Sequence, residues 1–321
     1  MNRREFLKGS SVLLGVAALG ETAGCHRGPK YPVTVIAMPD YSRDVSREIA
    51  AAFAADGLGL KGKRVLLKPN FVEVHPDRPV NTHPAVIANT AAACLRLGAA
   101  EVAVGEAPGH RRDPWYSVLH PSLRSALDPR VRRLDLNHCR GVAVPNKGDR
   151  SGVRGFFVAA PVMAADVVIS MPKMKTHHWT GVTLSLKNMF GVLPGIYYGW
   201  PKNPLHFAGI ENSILDLVKT APIHYALIDG VVGMEGDGPI MGRPKAVGAL
   251  VLSPHPLAAD AVAARIMGFA PERVPYLVGA SRFLPGLEAG AVEQRGEDPE
   301  RFATRFECLP EFRAMRREER G

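Results

Sequence analysis

Short apolar runs alternate with longer segments of helical periodicity along most of this chain. Residues 33–38 (VTVIAM), 64–68 (RVLLK), 101–105 (EVAVG) and 166–171 (DVVISM) read as strands. Such near-continuous apolar stretches are what a strand covered on both faces requires. Residues 225–228 and 249–252 (ALVL) read as two more strands, and 131–136 and 156–159 belong to a less regular middle. Helical patterns occupy 44–55, 84–97, 207–219 and 257–267, with another helix expected from about Thr180. Thr82 is placed to cap the 84–97 helix, with Pro84 in its first turn and His83 no more than part of that start. Strands alternating with helices predict an α/β domain, a mostly parallel sheet flanked by helices, over residues 30–270. Residues 271–321 carry a weaker pattern and read as a C-terminal extension or a small subdomain.

The polar segments fall at one kind of place. Lys68-Pro69-Asn70, Gly105-Glu106 to His110, Pro172-Lys173-Met174-Lys175-Thr176-His177-His178, Asp229-Gly230 onward and Ser253-Pro254-His255 each follow an expected strand. In open parallel sheets, ligands bind beyond the carboxyl ends of the strands, where such loops converge. A shared site at that edge is therefore expected.

The first residues stand apart from this pattern. Arg3-Arg4-Glu5-Phe6-Leu7-Lys8 precedes twelve uncharged residues, Gly9 to Gly20. A span that short does not cross a bilayer core, which takes about 20 apolar residues, but it suits the apolar region of an export signal. The arginine pair with Phe-Leu-Lys resembles the twin-arginine consensus. Residues 1–24 are thus expected to be a signal read by the twin-arginine (Tat) translocase. Thr22-Ala23-Gly24-Cys25 resembles a lipobox, with Thr22 where an aliphatic residue is usual. Two destinations stay open: a lipoprotein anchored to the membrane through Cys25, and a soluble periplasmic protein.

The formal net charge is +9, and removing residues 1–24 takes away three basic and two acidic side chains, leaving +8. That excess favours anionic partners in general. No zinc-finger, RNA-recognition or basic-zipper pattern is present, so nucleic acid is not expected as a partner. The basic stretch 313–320 (RAMRREER) reads as a solvated helix end. Of the four cysteines, Cys94 lies in an apolar helical stretch, and spacing gives no support for or against a Cys139–Cys308 pair. With no Cys-x-x-Cys, a cysteine-ligated iron–sulfur cluster is not expected.

Residues 172–195 (PKMKTHHWTGVTLSLKNMFGVLPG) are the densest in chemistry, with Lys173, Lys175, His177, His178 and Lys187. Lysines at the mouth of a sheet suit an anion, and one desolvated by its neighbours could act as base or nucleophile. His177 and His178 are adjacent and would point apart; His206 could join from a following helix start. The loop from Asp229 to Pro239 interleaves Asp229, Glu235 and Asp237 with four glycines, a composition that could fold around a divalent cation. Its spacing is not that of an EF-hand, and no phosphate-loop or dinucleotide fingerprint appears.

Lys68-Pro69-Asn70, Thr82-His83-Pro84, Lys173 to His177, Ser185-Leu186-Lys187-Asn188 and Asp229-Gly230 with Glu235-Gly236-Asp237-Gly238-Pro239 together resemble the family called domain of unknown function 362, over about residues 33 to 268. Members of that family often carry a four-cysteine ferredoxin-like segment that this sequence lacks. A fainter similarity is to the nickel-pincer lactate racemase family, through Gly109-His110-Arg111, Thr180-Gly181-Val182-Thr183 to Lys187, and Pro194-Gly195. That analogy implies His110, His177 and Lys187 near one reactive centre.

The expectation is an enzyme or cofactor-dependent protein acting on a small anion, with a non-catalytic periplasmic binding or assembly lipoprotein as the alternative. His177, Lys175, Lys187 and Asp229 are the candidate catalytic groups. Lys68, Asn70, Lys173, His110 and Asn188 are candidate substrate ligands, and Asp229, Glu235 and Asp237 candidate ligands for a divalent metal, the one cofactor suggested.

Overall fold

The computed structural model describes residues 29–75, 77–110, 113 and 118–318; the expected signal, Cys25 and Arg111 lie outside them. Twelve strands are described: β1 (Tyr31–Ala37), β2 (Arg64–Pro69), β3 (Glu101–Glu106), β4 (Arg132–Asp135), β5 (Gly141–Pro145), β6 (Gly155–Ala159), β7 (Val167–Met171), β8 (Lys173–His177), β9 (Gly181–Thr183), β10 (Tyr225–Glu235), β11 (Arg243–Ser253) and β12 (Val292–Gly296). Ten form the main sheet, in the order β12-β1-β11-β10-β7-β2-β3-β4, with β8 on β10 and β9 on β8. The steps from β10 through β7, β2 and β3 to β4 are parallel, whereas β11 runs antiparallel to both β1 and β10. The fold is the expected α/β class, with a mostly parallel mixed sheet; β5 and β6 form a separate antiparallel pair.

Period-2 alternation sorts the sheet residues onto two cores. Leu66, Val168, Ala226 and Ile228 join one apolar cluster, and Val65, Leu67, Ile169 and Leu227 the other. Helix Pro84–Arg96 presents Val86, Ile87, Ala91 and Cys94 to the second cluster, and helix Pro256–Ile266 is buried around almost its whole circumference against the first.

Several boundaries differ from expectation. His83, not Thr82, caps the 84–96 helix: its Nδ1 accepts from Ala85 N at 3.2 Å. The Thr82 hydroxyl instead donates to the Met171 carbonyl at 2.6 Å and accepts from Asn70 N at 2.9 Å, tying the end of β2 to the end of β7. No helix begins at Thr180. That stretch forms β8 and β9, and only Ser185–Asn188 is helical. The glycine-rich segment after Asp229 is not a loop but the second half of an 11-residue β10. Residues 207–219 divide into helices Asn203–Phe207 and Ile210–Thr220. In the C-terminal stretch, β12 adds to the sheet edge parallel to β1, and Pro310–Met315 is a 3₁₀ turn followed by a bridge from Arg316 to Phe269. Cys94, Cys139 and Cys308 are free thiols.

Candidate functional site

From β2 the chain proceeds outward to β3 and β4, then returns to place β7 on the other side of β2. The strand order reverses there, and a crevice opens beyond the carboxyl ends of β2 and β7. Its floor is a buried ion pair. Lys68 Nζ donates to Glu106 Oε2 at 2.5 Å, to the Pro69 carbonyl at 2.7 Å and to Asn188 Oδ1 at 3.0 Å. Glu106 also accepts from Phe71 N and Ala107 N, and Asn188 donates to the Lys68 carbonyl and to Ser170 Oγ. Burial pushes the Lys68 amine down and the Glu106 carboxyl up, while their contact opposes both shifts. Backbone presses closely on it: a β-carbon on Gly191 would collide with the Glu106 carboxylate.

The helix that carries Lys187 and Asn188 is set by a second buried acid. Asp260 accepts from Ser185 N at 2.7 Å and Leu186 N at 3.1 Å. Burial pushes its carboxyl up to about 7.

Above the pair lies a cleft of ≈ 130 Å³. Lys175, His177, Lys187, Lys202 and His206 line it, and among the described residues Glu106 is the single carboxylate in its wall. Lys202 Nζ bonds to the Ala107 carbonyl, and Lys175 Nζ to the Val80 carbonyl at 2.8 Å. Lys187 differs: its amino group has no hydrogen bond or ion pair among the described residues and lies 5.2 Å from the Phe190 ring centroid. Asn70 Oδ1, Thr183 Oγ1 and His206 Nδ1 are buried without hydrogen-bond partners, and all three residues line the same cleft. Buried polar atoms in folded proteins are paired as a rule, so three orphans in one wall mark a place that a ligand or water completes.

The electrostatics agree with that geometry. Burial first, then Lys68, lowers Lys187 to about 8. Burial lowers Lys202 to about 7 despite the pull of Glu106. Lys175 falls well below the usual lysine value through burial and the charges of Lys187 and Lys173. Burial and Lys187 hold His177 well below the usual imidazole range and His206 at about 4. His177 Nδ1 accepts from Trp179 N at 3.0 Å, which leaves the ring proton on Nε2. Neutral His177 is therefore a hydrogen-bond donor rather than a ready base.

A second polar cluster lies along the same face of β8. Alternation carries Lys173, Lys175 and His177 on one side, while Met174 packs in the core. Lys173 Nζ is held by Asp229 Oδ2 at 2.6 Å, Tyr41 OH at 2.8 Å and the Val232 carbonyl at 3.1 Å. Asp229 also accepts from His83 N at 2.9 Å, Tyr41 OH and Val231 N. Every polar atom of this cluster has a partner within the fold.

Residues 65–265 match the family described as Domain of unknown function (DUF362). The chain belongs to this family. A thylakoid-associated protein of Synechocystis sp. is similar to it, 30% identical over 240 residues that span 72% of this chain and 71% of the relative. The DUF362 match contains every residue lining the cleft; of the Lys173 cluster, only Tyr41 lies outside it.

Measured against this DUF362 site, the expected residues divide. Lys175, His177, Lys187, Asn70, His110 and Asn188 line the cleft together, and His178 lines it half-exposed, 3.6 Å from Asp237. Lys68 stays beneath, sealed in its pair. Lys173 and Asp229 do not reach the cleft, being bonded to each other. The proposed metal set does not converge. Asp229 is saturated, Glu235 pairs with Arg243 and Lys245 and accepts from Glu307 N, and Asp237 lies at the surface. Among the described residues no group of three His, Cys, Asp or Glu side chains could hold a metal ion. Glu106, Thr183 and Lys202 are additions. Glu106 carried a signal, an acid ending an apolar strand, but Lys202 sits in a left-handed turn with φ 69° inside a stretch with no periodic pattern.

Proposed function

We propose that this DUF362 protein binds a small organic anion in the Lys187 cleft and moves a proton on it. The observation that carries the reading is the lone Lys187 amino group beside three unpartnered buried polar atoms. Protonated Lys187 supplies the countercharge, and the Lys175 and Lys202 amines, both lowered by burial, add N–H donors to the wall. Asn70 and Thr183 offer hydrogen bonds to the polar remainder of the ligand, and His177 donates through Nε2. With an amine lowered to about 8, Lys187 also has a neutral fraction at physiological pH that can accept a proton. The volume of ≈ 130 Å³ suits an acid of a few carbons.

The test is hydrogen exchange at carbon. Small carboxylic acids are incubated with the protein in deuterium oxide and their C–H signals followed by NMR. Exchange that disappears in Lys187→Met supports proton transfer. Saturable binding without exchange for any acid leaves a binding protein, the alternative function.

We further infer that the protein works outside the cytoplasm, on the strength of Arg3-Arg4 and the apolar segment after them. The thylakoid association in the relative's name supports a membrane-side setting. Replacing both arginines with lysine should retain the protein in the cytoplasm; unchanged export would overturn this inference.

A further inference from the structure

Beyond Phe71, which lines both, lies a second and larger cavity of ≈ 380 Å³. Three of its wall residues are histidines, His75, His83 and His120, drawn from three separate segments. Each ring has the same backbone contact. Its Nδ1 faces a backbone N–H two residues on: Asp77 N at 3.3 Å, Ala85 N at 3.2 Å and Ser122 N at 3.3 Å. Accepting that N–H leaves Nδ1 of His75 and His83 without a proton, so their neutral rings hold it on Nε2; His120 Nδ1 also lies 2.7 Å from Ser122 Oγ, so its proton can sit on either ring nitrogen. No Nε2 of the three has a hydrogen-bond partner among the described residues.

His75 and His83 thus bring Nε2–H donors to the residues that line the cavity, and His120 adds a third imidazole. Arg78 adds a guanidinium, one nitrogen of which lies 3.4 Å from the Ile240 carbonyl and 3.2 Å from Met241 Sδ. The amino end of the 13-residue helix Pro84–Arg96 also opens onto it. Acceptors are scarce: among the described residues Asp77 is the one carboxylate in the wall. A metal ion is the wrong occupant, because Arg78 and Lys173 outnumber that carboxylate in the wall. An acceptor-rich anion is the right one. Tyr41, stacked on His83 at 3.6 Å, together with Phe71 and Leu123 provides apolar wall for the body of such a molecule.

We propose that this cavity is a second anion site, taking the phosphate or carboxylate head of a larger organic molecule independently of the Lys187 cleft. Calorimetric titration with phenyl phosphate, alongside sedimentation with phosphatidylglycerol vesicles, tests it. The variant His83→Asn/His120→Asn keeps a side-chain oxygen for each backbone N–H and removes both imidazoles. Phenyl phosphate should bind the wild-type protein saturably, about tenfold more weakly in the double variant, and unchanged in Lys187→Met. Arg78→Gln, in a loop, should weaken binding as well and serves if the double variant does not fold. Vesicle binding that depends on the same residues, without phenyl phosphate binding, identifies a lipid headgroup as the source of the anion. No binding of either probe, or binding lost in Lys187→Met and kept in the histidine variant, overturns the proposal.

Discussion

Lys173, buried, and Lys187, half-buried, both stand at the carboxyl edge of one sheet, yet they are treated in opposite ways. Lys173 has three acceptors, one of them the Asp229 carboxylate, which itself accepts four hydrogen bonds. Lys187 has none among the described residues, and the polar atoms near it are orphaned too. The first arrangement is a strut: it ties β8 to β10 and to the start of helix Pro84–Arg96. The second leaves an amino group without an acceptor in the described fold. Burial alone thus does not mark a candidate lysine; the missing acceptor does.

The comparison predicts contrasting responses to mutation, beginning with the largest. Glu106→Ala or Asp229→Ala leaves a buried ammonium unpaired and should cost about 3–5 kcal/mol of stability in denaturant unfolding. A loss below about 1 kcal/mol in either would dissolve the distinction. Lys187→Met should leave stability unchanged or raise it by up to about 1 kcal/mol, because it removes a charge that nothing in the fold compensates. That difference has a pH signature. Lys187 in the folded chain titrates near about 8, below the unfolded value of about 10.4. Between those values the unfolded chain binds more protons, so stability rises with pH. The gap between wild type and Lys187→Met should therefore be widest below about pH 8 and close toward pH 10.

Much of the architecture was legible because the sheet is covered on both faces. Apolar runs such as DVVISM and ALVL have few other places to go. The clustering of polar segments after strands was legible for the same reason. Which carboxylates would meet was not. Asp229, Glu235 and Asp237 look like one glycine-rich loop, but β10 runs on as far as Glu235, extending the chain at about 3.3 Å per residue. That separates the acids along the sheet edge and gives each a different partner. Likewise Lys173 and Lys175 are equivalent by sequence; only the pairing of β8 with β10 sets Lys173 beside Asp229. Lys202 was invisible because its place depends on a turn that brings its amino group back to the end of β3.

On the proposed function, Lys187 holds a small anion. Calorimetric titration of wild type and Lys187→Met with two- to four-carbon carboxylates, in two buffers of different ionisation enthalpy near pH 8, tests it most directly. Saturable binding is expected with proton uptake, because the anion favours the charged amine, and affinity should fall as pH rises through about 8. Lys187→Met should bind at least about tenfold more weakly, with no proton uptake. Equal affinity and equal proton uptake in the two proteins would contradict the claim.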